Sequence, residues 1–169
     1  PAIVPLYGLF CGDAPEELNL AMKLLRGQTM QERLEMTRNI YEVKKNALAM
    51  EEAAFEERLR VFYRILKVIE YAHSRGVIHC DLKPQNLMLG DYDELYVMDW
   101  GIAYFYDPEK PGDPADRPPV GTPAYLAPEL RRDALPSPRT DIFSLGVILF
   151  ELVTLRPAIP GDSTEEILF

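Results

Sequence analysis

Apolar residues recur at three- and four-residue intervals through Phe55, Leu59, Phe62, Leu66 and Ile69, flanked by Val61, Ile65 and Val68. That period predicts a helix with a wide buried stripe, and Gly76 stands where it should stop. Farther on, Ile142-Phe143-Ser144-Leu145-Gly146-Val147-Ile148-Leu149-Phe150-Glu151-Leu152-Val153 is apolar nearly all round. It predicts a fully buried helix, with Thr140 or Asp141 as its cap after Ser137-Pro138. Between the two, Val77-Ile78 and Leu87-Met88-Leu89 are short apolar runs that predict strands, and Leu95-Tyr96-Val97-Met98 leads into Asp99.

The first third is less regular. Residues 3–10 predict an apolar strand interrupted by Pro5, then a polar turn over 11–17 and a second strand over 18–25 that ends at Arg26-Gly27. Thr29-Met30-Gln31-Glu32 has the spacing of a capping box, so a helix should start there, and the polar stretch 37–54 also reads as helical. Residues 104–120 hold five prolines and four acidic residues, too irregular for an element and too polar for core. Ser163-Thr164-Glu165-Glu166 predicts one more capped helix, and there are no internal repeats.

Composition changes this picture little. The 169 residues, 47% hydrophobic and 27% charged, suit one globular domain with a sizeable core. No apolar run is long enough to span a bilayer, and the start lacks a signal peptide's basic end. Cys11 and Cys80 make no disulfide or metal-ligand pattern, so a reducing cytoplasm is the expected location. A net charge of -9 argues against broad nucleic-acid binding and favours cationic partners.

The chemistry-bearing residues are concentrated in three motifs. His79-Cys80-Asp81-Leu82-Lys83-Pro84-Gln85-Asn86 sets an Asp, a Lys and an Asn at short offsets on one loop. Asp99-Trp100-Gly101 follows after thirteen residues, and Gly121-Thr122-Pro123-Ala124-Tyr125-Leu126-Ala127-Pro128-Glu129 comes next. A lone loop Asp is usually a turn former and a lone His on an apolar flank is usually core. Three motifs in this order and spacing resemble the catalytic loop, the metal-binding motif and the end of the activation segment of protein kinases. Small-molecule phosphotransferases of the aminoglycoside and choline type share the first pattern. They have nothing like residues 121–129, nor the helix start Asp141-Ile142-Phe143-Ser144-Leu145-Gly146. Lys83 and Thr122 resemble the serine/threonine branch, and Val97–Ala103 looks most like its bacterial members.

The resemblance implies an α+β fold, with a remnant of a small β lobe and hinge over 1–27 and part of a mostly helical large lobe over 28–169. It implies ATP and Mg2+ as cofactors and phosphoryl transfer to serine or threonine of protein substrates. Asp81 would orient the hydroxyl and take its proton, and Lys83 would face the transferring phosphate. Asn86 and Asp99 would hold magnesium. Met22, at the gatekeeper position, with Lys23, Leu25 and Met88, would contact the nucleotide. His79 would pack beneath the site without titrating, and Asp141 would hold the backbone of the loop.

The chain departs from the family in two ways. Cys80 stands where an Arg usually pairs with a phosphate on the activation segment, and residues 102–120 contain no Ser or Thr. Activity is therefore expected not to depend on phosphorylation there, and Cys80 is expected to be a buried, inert thiol. The Gly-rich loop, the strand lysine and its helix-borne Glu partner have no counterpart in the sequence, nor has the arginine expected to pair with Glu129. The chain on its own is thus expected to be marginally stable and nearly inactive. An alternative from another class is a kinase-like interaction module without catalysis.

Overall fold

The computed structural model describes residues 2–11, 18–43, 48–110, 112–113, 121–132 and 134–159. Of the turn expected over 11–17 only Cys11 is described, as the end of a strand, and the helix expected at Ser163 lies outside the described residues. The chain is α+β, and its elements run β1 Leu6–Cys11, β2 Leu18–Met22, β3 Gly27–Thr29, α1 Met30–Val43, α2 Leu48–Ser74, β4 Val77–Ile78, β5 Leu87–Gly90, β6 Leu95–Val97, β7 Tyr104–Phe105 and α3 Pro138–Thr154. The strands form three small antiparallel groups, β1-β2, β3-β5-β6 and β4-β7. Ile3 adds a parallel bridge to Val97, so the segment before Pro5 lies along β6 and the strand proper starts after the proline.

The capping box forms as its spacing predicts. Glu32 Oε2 accepts from Thr29 N at 2.8 Å, and Thr29 Oγ1 accepts from Glu32 N at 3.2 Å. Gly76, with φ +71°, takes the left-handed turn that ends α2 and aims β4 at the loop.

Both long helices differ from expectation in which face they bury. On α2 the buried set is Val61, Phe62, Ile65, Val68, Ile69 and Ala72, whereas Phe55 and Leu59 are exposed and Leu66 is half-buried. The helix packs on α3, β4 and β6 along its second half, and the core there selects the stripe centred on Ile65. Helix α3 is not fully buried. Leu145, Ile148 and Leu152 face the core, while Ile142, Phe150 and Val153 are 57%, 46% and 43% exposed. Its cap is Ser137, whose N–H is accepted by Thr140 Oγ1 at 3.1 Å, so Asp141 is left for other partners.

Two strands were not expected. β3 has three residues and β7 two, too short for an alternating pattern to register. β7 lies in the stretch read as irregular, where it pairs with β4 and packs Tyr104 against Ile78 and Cys80. The main core gathers α2, α3, β5 and β6 around Ile65, Leu82, Leu87, Val97 and Ile148, all fully buried.

Candidate active site

The loop between β4 and β5 is held from below by Asp141. This carboxylate has no exposed surface and accepts from His79 N at 2.9 Å, Cys80 N at 3.0 Å and His73 Nε2 at 2.8 Å. It joins the end of α2, the start of α3 and the loop backbone. His73 as the third partner had no sequence signal, being 68 residues away.

Above that anchor the loop alternates. Leu82 and Pro84 point into the core, while Asp81 and Lys83 face the opposite side. The short 3-10 turn Pro84–Asn86 swings Asn86 back beneath Asp81. As a result, the Asp81 carboxylate accepts four hydrogen bonds. Lys83 Nζ reaches Oδ2 at 2.7 Å and Asn86 Nδ2 reaches it at 3.2 Å. Thr122 donates to Oδ1 through its N–H at 2.9 Å and its hydroxyl at 2.8 Å. Lys83 also bridges to Thr122 Oγ1 at 2.7 Å.

In sequence Thr122 is only a mark of the serine/threonine branch, and the structure adds its contact with Asp81. The readable signal was a hydroxyl beside a glycine. A Cβ at Gly121 would stand 2.7 Å from the Cys80 carbonyl oxygen, so only glycine lets the segment come this close. Burial alone would raise the pKa of Asp81, but the Lys83 ammonium and the Thr122 donors outweigh it and hold the carboxyl below the ordinary aspartate range.

His79 is fully buried, and burial pushes its pKa down despite the Met98 carbonyl and nearby carboxylates. Its Nε2 donates to Met98 O at 2.9 Å and its Nδ1 accepts from Asp81 N at 3.3 Å, the pattern of a neutral ring. The Cys80 thiol is buried and pushed up to about 12, chiefly by burial, which makes it unreactive as expected.

Asp99 is exposed, in the left-handed region with φ +60°, at a turn closed by Trp100 Nε1 donating to Val97 O at 3.0 Å. Met98 N donates to Asn86 O at 2.8 Å, so the backbones carrying Asn86 and Asp99 are directly linked. Among the described residues no group of three or more His, Cys, Asp or Glu is placed to hold a metal. Asn86, however, spends its amide hydrogens on Asp81, so its side-chain carbonyl oxygen and the Asp99 carboxylate are the oxygen groups that could hold a metal here. Two oxygen donors suit magnesium, which keeps other positions for phosphate and water.

The residues expected to contact a nucleotide are spread more widely. Met22 ends β2 and is 54% exposed, and Leu25 is half-buried. Lys23 donates to the Tyr96 hydroxyl and lies over its ring at 4.8 Å. Met88 faces Tyr96 across β5 and β6, so Tyr96 links Lys23 to Met88. Neither Met22 nor Leu25 belongs to the core packed around the loop.

Behind the loop, the Tyr125 hydroxyl donates to Glu151 Oε2 at 3.0 Å and Ser144 Oγ to Tyr125 O at 2.8 Å, which seats the segment after Thr122 on α3. Glu129 was expected to suffer if buried without an arginine. It is only half-buried and accepts the Thr140 hydroxyl at 3.1 Å.

The chain matches the Protein kinase domain family over residues 1–168. It is 34% identical to serine/threonine-protein kinase PknD of Protochlamydia amoebophila, covering 98% of this chain and 18% of that protein. Against PknD of Chlamydia caviae the identity is 34%, over 92% of this chain and 18% of the relative. The probable serine/threonine-protein kinase PknB of Bifidobacterium longum is 33% identical over 94% of this chain and 21% of its own length. The chain thus spans about a fifth of these relatives.

Proposed function

The chain belongs to the protein kinase domain family, and on that premise we propose that it forms the central catalytic part of a bacterial-type serine/threonine protein kinase. The reaction is transfer of the terminal phosphoryl group of ATP to a serine or threonine hydroxyl of a protein. Residues 1–27 belong to the smaller lobe and hinge in this reading, and 28–169 to the larger lobe. The observation that carries it is the meeting of Asp81, Lys83, Asn86 and Thr122, through hydrogen bonds of 2.7 to 3.2 Å.

Asp81, kept ionised, accepts the proton of the incoming hydroxyl and turns its oxygen toward phosphorus. As that oxygen bonds to phosphorus, the bond to the leaving diphosphate breaks. Thr122 and Asn86 fix the two carboxylate oxygens, so little reorganisation accompanies the proton transfer. Lys83 uses two of its three N–H groups on Asp81 and Thr122, leaving one for an oxygen of the moving phosphoryl group. Asn86 and Asp99 would hold Mg2+, which would neutralise phosphate charge when bound. Met22, Lys23, Leu25 and Met88 line the nucleotide side, Lys23 through its backbone because Tyr96 holds its ammonium.

The test follows labelled phosphate from magnesium-ATP to a serine peptide, with the chain in its natural full-length protein. Lys83→Met is expected to lower transfer about 10²-fold or more, since it removes the phosphate's cation and one anchor of Asp81. An unchanged rate would remove Lys83 from the mechanism.

A further inference from the structure

The turn that carries Asp99 is held by side chains. Asp99 stands in the left-handed region, φ +60°, which costs a residue with a Cβ and persists only where its neighbours hold it. The carbonyls of the two residues before it are both taken by rings. Met98 O accepts from His79 Nε2 at 2.9 Å, and Val97 O accepts from Trp100 Nε1 at 3.0 Å. The two rings lean on each other, their centres 4.5 Å apart and their planes 55° from parallel. Past the turn, Ala103 N donates to Trp100 O at 3.1 Å. Gly101 leaves room for the carboxylate, since a Cβ there would stand 3.3 Å from Asp99 Oδ1.

Packing alone does not call for an indole at this position. A phenyl ring could lean on His79 and touch the core in the same way, but it has no N–H to give. The indole bond runs from the residue after Asp99 to the residue two before it, so it spans the turn and closes it. With that bond open, nothing on the Trp100 side chain ties the turn to β6. The positive φ then favours a return to ordinary backbone, which carries the carboxylate away from Asn86.

We propose that the Trp100 indole N–H is the clasp that keeps Asp99 where it can share a metal with Asn86, which makes Trp100 a positioning residue for magnesium. The inference rests on the kinase reading for its ligand. Trp100 acts through the backbone of Asp99, by fixing the carbonyl of Val97.

The experiment compares wild type with Trp100→Phe, with the chain in its natural full-length protein. Magnesium affinity is read by calorimetry in the presence of ADP, and hydrogen exchange is followed at the amides of Ala103 and of Ile69 in the core of α2. Trp100→Phe is expected to weaken magnesium about 3–10-fold, the size of one neutral hydrogen bond, and to speed exchange at Ala103 but not at Ile69. Phosphoryl transfer should need more magnesium yet return to within about twofold of wild type when magnesium saturates. Equal magnesium affinity, or equal exchange at Ala103, would overturn the clasp. So would faster exchange at Ala103 and Ile69 alike, the mark of a structural role alone. A wild type that binds no magnesium-ADP would instead sink the kinase reading, and the proposal with it. If Trp100→Phe does not fold, benzothienylalanine at position 100, which keeps the fused ring and lacks the N–H, takes its place in the same comparison.

Discussion

The loop around Asp81 and the strand pair β1-β2 are both short and both rich in apolar residues, yet they are held in opposite ways. Every turn of the loop is tied to something distant in sequence: Asp141 and His73 below it, Thr122 above it, and Leu82 and Pro84 sunk in the core. β1 and β2 pair with each other, and their side chains Leu6, Tyr7, Leu9, Phe10 and Leu20 are each more than half exposed. In the loop, geometry is over-determined by crossing contacts, which fix its polar groups relative to one another. The hairpin is held by its own ladder and, just beyond its two ends, by the Ile3–Val97 bridge and the Lys23–Tyr96 hydrogen bond. In the proposed mechanism, chemistry that demands placement sits in the first kind of structure, and backbone contacts to the nucleotide sit beside the second.

The largest effect should come from cutting the loop's anchor. Asp141→Ala leaves the N–H groups of His79 and Cys80 buried and unpaired, and is expected to cost about 3–5 kcal/mol in denaturant unfolding. A loss below about 1 kcal/mol would show that the loop does not depend on that carboxylate.

Next comes packing. Leu82→Ala, at a side chain with no exposed surface, should cost about 2–5 kcal/mol, whereas Leu9→Ser on β1 should change stability by no more than about 0.5 kcal/mol. Equal losses at the two sites would erase the contrast between the regions.

A smaller effect separates two carboxylates by pH. Burial pushes the carboxyl of Glu151 up, although the Tyr125 hydroxyl, the Ala158 backbone and Arg38 favour its charge. A raised pKa means that the folded chain holds the proton where the unfolded chain has released it. Stability therefore falls as pH rises through the window above the ordinary value of about 4.3. Asp81 is shifted the other way, so its stabilising contribution is lost only as pH falls below the usual aspartate range. Thermal midpoints of Glu151→Gln between those two windows and neutrality should show a flatter pH dependence than wild type. An identical slope would mean Glu151 is not the group responsible.

Much of the loop was legible because its determinants are local. Asp81, Lys83 and Asn86 lie within six residues, and the Thr29–Glu32 capping box needs only four. Asp141 was legible as a loop holder only through the family resemblance. What escaped depends on tertiary packing. Both faces of a long apolar helix look alike in sequence, so the pattern alone shows neither that the buried stripe of α2 centres on Ile65 nor that the outer face of α3 is exposed. Strands of two or three residues carry no period, which hid β3 and β7. The contacts of Asp81 with Thr122 and of Tyr125 with Glu151 join residues 41 and 26 positions apart, and each partner alone is an ordinary polar side chain.

The most direct test of the account measures phosphoryl transfer and nucleotide binding together in Asp81→Asn, with the chain in its natural full-length protein. The amide keeps the shape and can still accept from Lys83 or Thr122, but it cannot take the hydroxyl proton. Transfer to a serine peptide should fall by about 10²–10⁴-fold with magnesium-ATP affinity unchanged. A rate near wild type would contradict the placement of the chemistry at Asp81.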